Sequence, residues 1–485
     1  MTAASLTETH TAVVVAVGDR VYKAKKPVRF PFVDLSTREL RRRACEREVE
    51  LNRRLAPDVY LGVATLTGAS DDDDDDEPVV VMRRLPDETR LAAIVAAGRS
   101  DAGDETVKVA RLVAAFHAAA PTSAAVAAAA APDAVLASAL RNIDELAAVA
   151  DRILDAEDVA TARRLTGTYV TGRAPLLAAR AALGHARDGH GDLKAEDIFC
   201  LPDGPRILDC LEFDDALRYG DVLADVAFLA MDLERLGGAP LARTFLDAYA
   251  EFSGSSWPAS LEHFYVAQRA LVRAKVTCLR IAQGDDDQRP DAHRLTALAL
   301  RHLRAARCRL VLVGGSPGTG KSTVAQGVAD RFGMTLLRSD VVRKQVYGVP
   351  PGEWRPEAYA AGLYDARHTD VTYRELLRRA SLALGHGESV VIDATWLDPR
   401  RREHAADVAR RRGAELVELR CVAPAAVARR RVLARALADA DVSDVTPEVA
   451  DRMAARAAPW PDAHEVDTDE KTPEASVAAA AVHVT

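Results

Sequence analysis

The sequence lacks any run of about 18 apolar residues, so no segment reads as a membrane-spanning helix. Its opening, MTAASLTETH, has neither the basic nor the apolar stretch of a secretory leader. The six cysteines, Cys45, Cys200, Cys210, Cys278, Cys308 and Cys421, form no CxxC pair and no His/Cys cluster of zinc spacing. Buried free thiols in a reducing compartment are therefore expected. Lysine is scarce, nine of the 64 basic residues. Positive charge is not in excess either: the formal net charge is −8, which argues against a nucleic-acid partner or an anionic membrane surface. No repeat of 20–50 residues is visible. These absences describe a cytoplasmic chain with neither membrane nor nucleic acid as partner, and they set no oligomeric state.

What the chain has is length. Its 485 residues, 48% hydrophobic and 28% charged, predict two or more globular domains with real cores. Thr11–Val17, a Gly18-Asp19 turn and Arg20–Lys26 read as a hairpin. Ser36-Thr37-Arg38-Glu39 is a capping-box pattern that opens a helix over 36–55. Val59–Leu66 and Val79–Arg84 read as strands, separated by the aspartate run Asp71–Asp76, a solvated loop. From 89 to 187 the pattern is helical and alanine-rich. Turns and short strands occupy 188–230, and helices resume to 283. Gly284–Pro290 opens a polar linker, followed by one more helix. From 308 onward strands and helices alternate, the texture of a doubly wound parallel sheet. The expected division is 1–88, 89–284, a linker with a helix at 285–307, a domain at 308–470, and a frayed tail at 471–485.

The most specific motif is Gly315-Ser316-Pro317-Gly318-Thr319-Gly320-Lys321-Ser322, with Thr323 after it. It fits GxxxxGK[ST], with an apolar strand before it and a helix after it. Glycines let backbone N–H groups turn toward phosphate oxygens, and the helix N-terminus favours the anion. Lys321 is expected on the β- and γ-phosphates of ATP, and the Ser322 hydroxyl on Mg2+. Asp340 follows the second strand, where it can take the proton of an attacking hydroxyl or cap a helix. Val390-Val391-Ile392-Asp393 ends an apolar strand in a carboxylate suited to Mg2+. Arg431 and Arg435, four apart on one helix face, can close on a transferring phosphate or line a solvated face. With SDVVRK and VVIDAT, this segment resembles the small P-loop kinases that phosphorylate hydroxyl groups.

A second constellation is His190-Gly191-Asp192-Leu193-Lys194-Ala195-Glu196-Asp197, followed by a short hairpin ending Leu208-Asp209-Cys210-Leu211-Glu212. It resembles the catalytic loop and metal-binding strand of the aminoglycoside-phosphotransferase-like kinases, relatives of protein kinases whose loop reads HGDxxxxN. The resemblance implies that Asp192 orients or deprotonates an acceptor hydroxyl. It places Asp197 at the Mg2+-binding asparagine, a departure from the pattern. It also implies a second metal ligand, either Asp209, by its distance from Asp192, or Glu212, by its fit to the downstream Asp214-Asp215-Ala216. The two face opposite sides if they lie in a strand. The family's strand lysine and helix glutamate have a physical counterpart here. Leu40, Ala44, Leu51 and Leu55 form an apolar stripe that includes Glu48, a carboxylate that needs a cation if buried. Lys23 and Lys25 share a strand face, and one of them is the expected partner. Met82-Arg83-Arg84-Leu85 falls at the family's adenine-contacting link between lobes, and His190 reads as structural.

The order of the halves, with VYKAKKPV, ELNRRLAP and FDDALRYGDVLADVAFLAMDLE, resembles a bacterial group of bifunctional aminoglycoside phosphotransferase-like and P-loop ATP-binding proteins. It implies a two-lobed kinase-like domain followed by a P-loop α/β domain, so the fold class is α+β then α/β. It further implies ATP and Mg2+ as cofactors and a small-molecule hydroxyl acceptor such as a sugar or polyol. Two other readings stand beside this one. The N-terminal half can be a nucleotide-binding regulator of the P-loop half, and the P-loop half can be a polynucleotide 5′-hydroxyl kinase.

Overall fold

The computed structural model describes residues 5–8, 11–30, 33–67, 76–350, 365–438, 446–469 and 471–484. Of the expected aspartate loop, residues 71–75 lie outside the described part. The chain divides into two compact units. One comprises Met1–Thr166, Leu177–Trp257 and Glu262–Arg304; the other comprises Gly167–Leu176, Pro258–Leu261 and Ala305–Thr485.

The first unit opens with an antiparallel five-stranded sheet. Its strands run in the order Ser5–Glu8, Ala12–Val17, Arg20–Lys25, Glu77–Arg83 and Tyr60–Leu66. Ser5–Glu8, an exposed edge strand, was not legible in the sequence. Helix Arg38–Asn52 packs on the sheet, with Cys45 and Val49 against Tyr60, Val80 and Met82. Its cap is Thr37, one residue later than the capping box suggested: the Thr37 hydroxyl accepts from Leu40 N at 3.3 Å, while Ser36 bonds back to Asp34. Leu85 after the last strand joins the same core.

The rest of this unit is mostly helical. Helix Val222–Arg235 buries nearly every residue, so it forms the central post of the helical half. Helix Arg289–Ala305 buries Leu295, Leu298, Ala299 and Leu303 on one stripe. All six cysteines are buried and free.

The second unit holds a parallel sheet in the order Thr335–Arg338, Val390–Asp393, Arg309–Gly314, Glu415–Val422 and His464–Asp467. The central strand is apolar on both faces, as parallel sheets require. Leu310 and Leu312 face a core with Leu376, Ala380, Leu384 and Val408 from helices Ala366–Gly385 and Pro399–Arg411. Val311 and Val313 face Val324, Ala325 and Val328 of helix Lys321–Phe332.

The end of the chain corrects the expectation of a frayed tail. Pro473–Ala481 is a helix capped by the Thr472 hydroxyl, and Ala480 and Val484 are fully buried in that second core. Alanine at close packing positions buries little area per residue, so its hydropathy hides a role that shape supplies. The strand His464–Asp467 was missed for a related reason: only Val466 of its four residues is buried.

Candidate active sites

In the first unit, three separate stretches meet on two lysines. Lys23 Nζ lies 2.8 Å from Glu48 Oε1 and 3.0 Å from Asp209 Oδ1; Lys25 Nζ lies 2.6 Å from Glu48 Oε2 and 2.5 Å from Glu212 Oε1. The choice between Lys23 and Lys25 is thus resolved as both: Glu48, whose side chain is 1% exposed, takes one on each oxygen. Burial alone would protonate Glu48, but the two lysines outweigh it and hold its carboxyl below the usual range. Lys23 is pulled down by burial and raised, on balance, by Asp209 and Glu48.

The expectation that Asp209 and Glu212 face opposite sides of a strand is corrected. The strand ends at Ile207, and Asp209 adopts a left-handed φ of 62°. Strand alternation stops there, so both carboxylates reach the lysine pair. The turn is fixed from the first lobe: Cys210 N donates to Asn52 Oδ1 at 2.8 Å, and Asp209 N donates to the Tyr60 hydroxyl at 3.4 Å. Lys23 draws the Asp209 carboxyl well below the ordinary range.

The loop at Asp192 is braced from beneath. Asp225 accepts from His190 N at 2.5 Å and Gly191 N at 2.8 Å, and His117 Nε2 lies 3.2 Å from the same carboxylate. Burial would raise Asp225, but the His117 contact and His190 with its amide hold it low. His190 Nε2 donates to Leu208 O at 3.0 Å, and burial keeps this imidazole neutral, which is a structural part. Lys194, which sequence reasoning passed over although it lies inside the motif, bridges Asp192 (2.9 Å) and Asp197 (3.1 Å). Burial pushes the Asp197 carboxyl up to about 7; Lys194 opposes this, while Asp209 and Asp192 add to it.

The donor set fits a divalent cation. Asp192, Asp197 and Asp209 offer hard carboxylate oxygens, the type Mg2+ takes. Asp197 Oδ2 is buried and has an ion contact but no hydrogen bond among the described residues. Three ammoniums face five carboxylates in this network, an imbalance of the size one Mg2+ neutralises.

In the second unit, Gly315 to Gly320 form a loop between strand Arg309–Gly314 and helix Lys321–Phe332, whose first turn contains Lys321, Ser322 and Thr323. Thr319 N and Oγ1 both donate to Ser316 O, at 3.3 and 2.8 Å, closing the turn around Pro317. Gly318, at φ 84°, has room for no side chain: a Cβ would stand 2.3 Å from Ala428 O. Ser322, Lys321 and Asp340 all act on the Asp393 carboxyl. Burial raises Asp393, whose Oδ1 has no hydrogen-bond partner among the described residues and whose Oδ2 lies 3.4 Å from Arg338 Nε. A hydroxyl beside a buried carboxylate oxygen without a partner fits a Mg2+ position at the loop.

Asp340 does not cap its helix. The cap position of Ser339–Val346 is Arg338, without a side-chain bond, and Asp340 lies in the first turn. Arg431, from helix Ala425–Ala438, donates to Thr468 O at 2.8 Å and Thr468 Oγ1 at 3.1 Å, and Thr468 Oγ1 donates to Thr319 O at 2.9 Å. The arginine is thereby tied to the phosphate loop through Thr468, a residue sequence reasoning missed because it follows the unrecognised strand. The side chain of Arg435 lies outside the described residues.

Two family models match this chain: "Phosphotransferase enzyme family" over residues 19–263 and "AAA domain" over 310–460. An uncharacterised protein of Mycobacterium tuberculosis (strain H37Rv) is 45% identical over 463 residues, covering 95% of this chain and 91% of its own. Among solved structures, a choline/ethanolamine kinase family protein from Mesorhizobium loti covers 62% of this chain and 92% of its own at 16% identity and a TM-score of 0.36. A gluconokinase from Sinorhizobium meliloti covers 36% and 91%, at 16% identity and a TM-score of 0.26.

Proposed function

Starting from a chain that belongs to the phosphotransferase enzyme family and carries an AAA domain, we propose that it holds two ATP sites, each moving a phosphoryl group to a hydroxyl of a small molecule. In the first unit, Lys23, held by Glu48, contacts the ATP phosphates. Asp197 and Asp209 hold Mg2+, and Lys25 with Glu212 anchors Glu48 from its other oxygen. Asp192 takes the proton as the acceptor oxygen bonds to the γ-phosphorus and the bond to the bridging oxygen breaks, leaving ADP with the electron pair. Bound Mg2+ supplies charge neutralisation at the phosphates. In the second unit, the loop Gly315–Thr323 cradles phosphates, Lys321 contacts them, and Ser322 with Asp393 holds Mg2+. Asp340 is the base there, and Arg431 and Arg435 supply charge.

The observation that carries the reading is Lys23 suspended between Glu48 and Asp209, a cation positioned from three parts of the chain. The acceptor class we propose is a sugar or related polyol. The test is ADP release from Mg-ATP over a panel of sugars, polyols, aminoglycosides, nucleosides and 5′-hydroxyl oligonucleotides. Wild type, Asp192→Ala and Lys321→Ala are run side by side. Stimulation by an acceptor that one variant loses by about a hundredfold or more assigns that acceptor to one site. ATP binding with no stimulation by any acceptor refutes the reading. A second reading, a nucleotide-binding regulator in the first unit, draws on the Asp197 carboxyl pushed up to about 7, since a half-protonated ligand holds Mg2+ weakly. Asp197→Asn raising transfer severalfold supports it; a large loss refutes it.

A further inference from the structure

One largely buried ammonium of the first unit, that of Lys194, has no part in the phosphotransfer proposed above. Lys194 Nζ lies 2.9 Å from Asp192 Oδ2 and 3.1 Å from Asp197 Oδ2, and its side chain is 14% exposed. Two carboxylates thus converge on one point, and an ammonium holds that point. The backbone on both sides is fixed. Leu193 and Ala195 are buried. Ala195 N donates to Asp232 Oδ2 at 3.0 Å, and Asp232, itself buried, also accepts from Arg235 Nε at 2.8 Å. In the short turn Ala195–Asp197, Asp197 N donates to Lys194 O at 3.2 Å and Asp197 O accepts from Leu208 N at 2.9 Å. The lysine therefore meets both aspartates from a frame that is held from beneath.

The other carboxylates of the network are engaged by other cations: Asp209 by Lys23, and Glu212 by Lys25. Lys194 is the cation of the Asp192–Asp197 pair, and it balances the charge that aspartate brings at 197. A divalent cation bridging Asp192 and Asp197 through these oxygens would need the volume the ammonium fills. Mg2+ draws its oxygens to about 2.0–2.1 Å, so two cations cannot share one pair of oxygens at this range. In a site with little water, like charges also repel strongly. Asp197 and Asp209 remain for one Mg2+, which matches the imbalance of three ammoniums against five carboxylates.

Resting on the phosphotransfer reading above, we propose that the first unit binds a single Mg2+, at Asp197 and Asp209, and carries its second cation within the chain: the Lys194 ammonium, standing between Asp192 and Asp197 where a second Mg2+ would otherwise bridge them. A cation fixed in the fold puts positive charge beside Asp192, where hydroxyl and phosphoryl group meet, at any Mg2+ concentration. Removing it leaves a gap walled by two carboxylates, the hard oxygens that a divalent ion takes. Truncation of Lys194 should therefore create a metal site.

The first arm of the test counts ions and needs no acceptor. Mn2+ is titrated into the full chain with saturating AMPPNP, and free and bound ion are followed by electron paramagnetic resonance. Any ion of the second unit is common to all the proteins and cancels in the difference. Lys194→Ala should bind about one more Mn2+ per chain than wild type, and the added ion should couple magnetically to its neighbour, as ions about 4 Å apart do. Lys194→Arg should keep the wild-type count, and Lys194→Ala with Asp192→Asn should lose the added ion. Melting curves check that each variant folds. Wild type alone should show only isolated ions, so the count does not hang on a variant's folding. A coupled pair in wild type, equal counts in wild type and Lys194→Ala, or an added ion that survives Asp192→Asn overturns the proposal. The second arm measures acceptor-stimulated ADP release against free Mg2+. Lys194→Ala should fall about a hundredfold at low Mg2+ and recover most of that loss as Mg2+ rises, while wild type saturates early. A loss that no Mg2+ concentration restores counts against the shared cation role. The expected counts with no acceptor turned over uphold the built-in cation and count against phosphotransfer. A wild-type count that Asp209→Ala leaves unchanged overturns both.

Discussion

Replacing Asp197 with asparagine should stabilise the protein above neutral pH and leave it unchanged in acid. In the folded chain this carboxyl is pushed up to about 7 by burial and by Asp209 and Asp192, despite Lys194. In an unfolded chain it titrates near about 3.9. A carboxyl whose folded pKa exceeds its unfolded one favours the protonated native state. The stability it contributes is complete below about pH 4 and is lost as pH rises through about 7. The difference of about three units, at about 1.36 kcal/mol each, sets a ceiling near 4 kcal/mol. Relaxation and water at a side chain that is 17% exposed reduce this to about 1–2 kcal/mol. Asparagine keeps the shape and removes the proton. Scanning calorimetry in EDTA should therefore show Asp197→Asn more stable by about 1–2 kcal/mol at pH near 8.5, with the gap closing toward pH 4. Saturating Mg2+ should shrink the gap at high pH, because a bound cation removes the penalty that asparagine avoids. A gap independent of pH, or a wild type more stable than the variant in alkali, refutes the reasoning.

Three further outcomes are expected from the geometry. Glu48→Gln strips the shared counter-ion from Lys23 and Lys25; it should cost about 2–4 kcal/mol of stability in urea unfolding and lower acceptor-stimulated ADP release about a hundredfold. Asp225→Ala removes the acceptor of two loop amides and should cost about 2–3 kcal/mol, with faster hydrogen exchange at His190 and Gly191 as the specific readout. Gly318→Ala forces a Cβ to 2.3 Å from Ala428 O, so nucleotide binding by the second unit should be lost while Asp192-dependent turnover persists, which single-variant ADP release measures directly.

The phosphate loop was legible because its chemistry is written in backbone requirements: glycines where no Cβ fits and a helix that starts at Lys321. Glu48 was legible from its place on an apolar stripe, since a buried carboxylate demands a cation. The number of cations was not, because strand alternation puts Lys23 and Lys25 on one face without saying that one carboxylate can take both. Asp209 and Glu212 were misjudged by extending a strand five residues too far, from Ile207 through Glu212; a left-handed residue resets the alternation, and aspartate is among the few types that tolerate it. Lys194 and Thr468 depend on what the fold brings to them. Helix Pro473–Ala481 was hidden by alanine, whose packing value depends on the surface it meets.

The left-handed turn at Asp209 also bears on how such a site changes over generations. On backbone grounds that position accepts aspartate, asparagine or glycine at little cost, and resists most other residues. One of the three carries the charge that Lys23 meets. With Asp209 in the metal-holding role proposed above, drift to asparagine or glycine would remove that charge at little backbone cost. Loss of the proposed chemistry and loss of structure would then be separable by a single codon, a short path from enzyme to binding protein and, at the bench, an inactive form that folds like the parent.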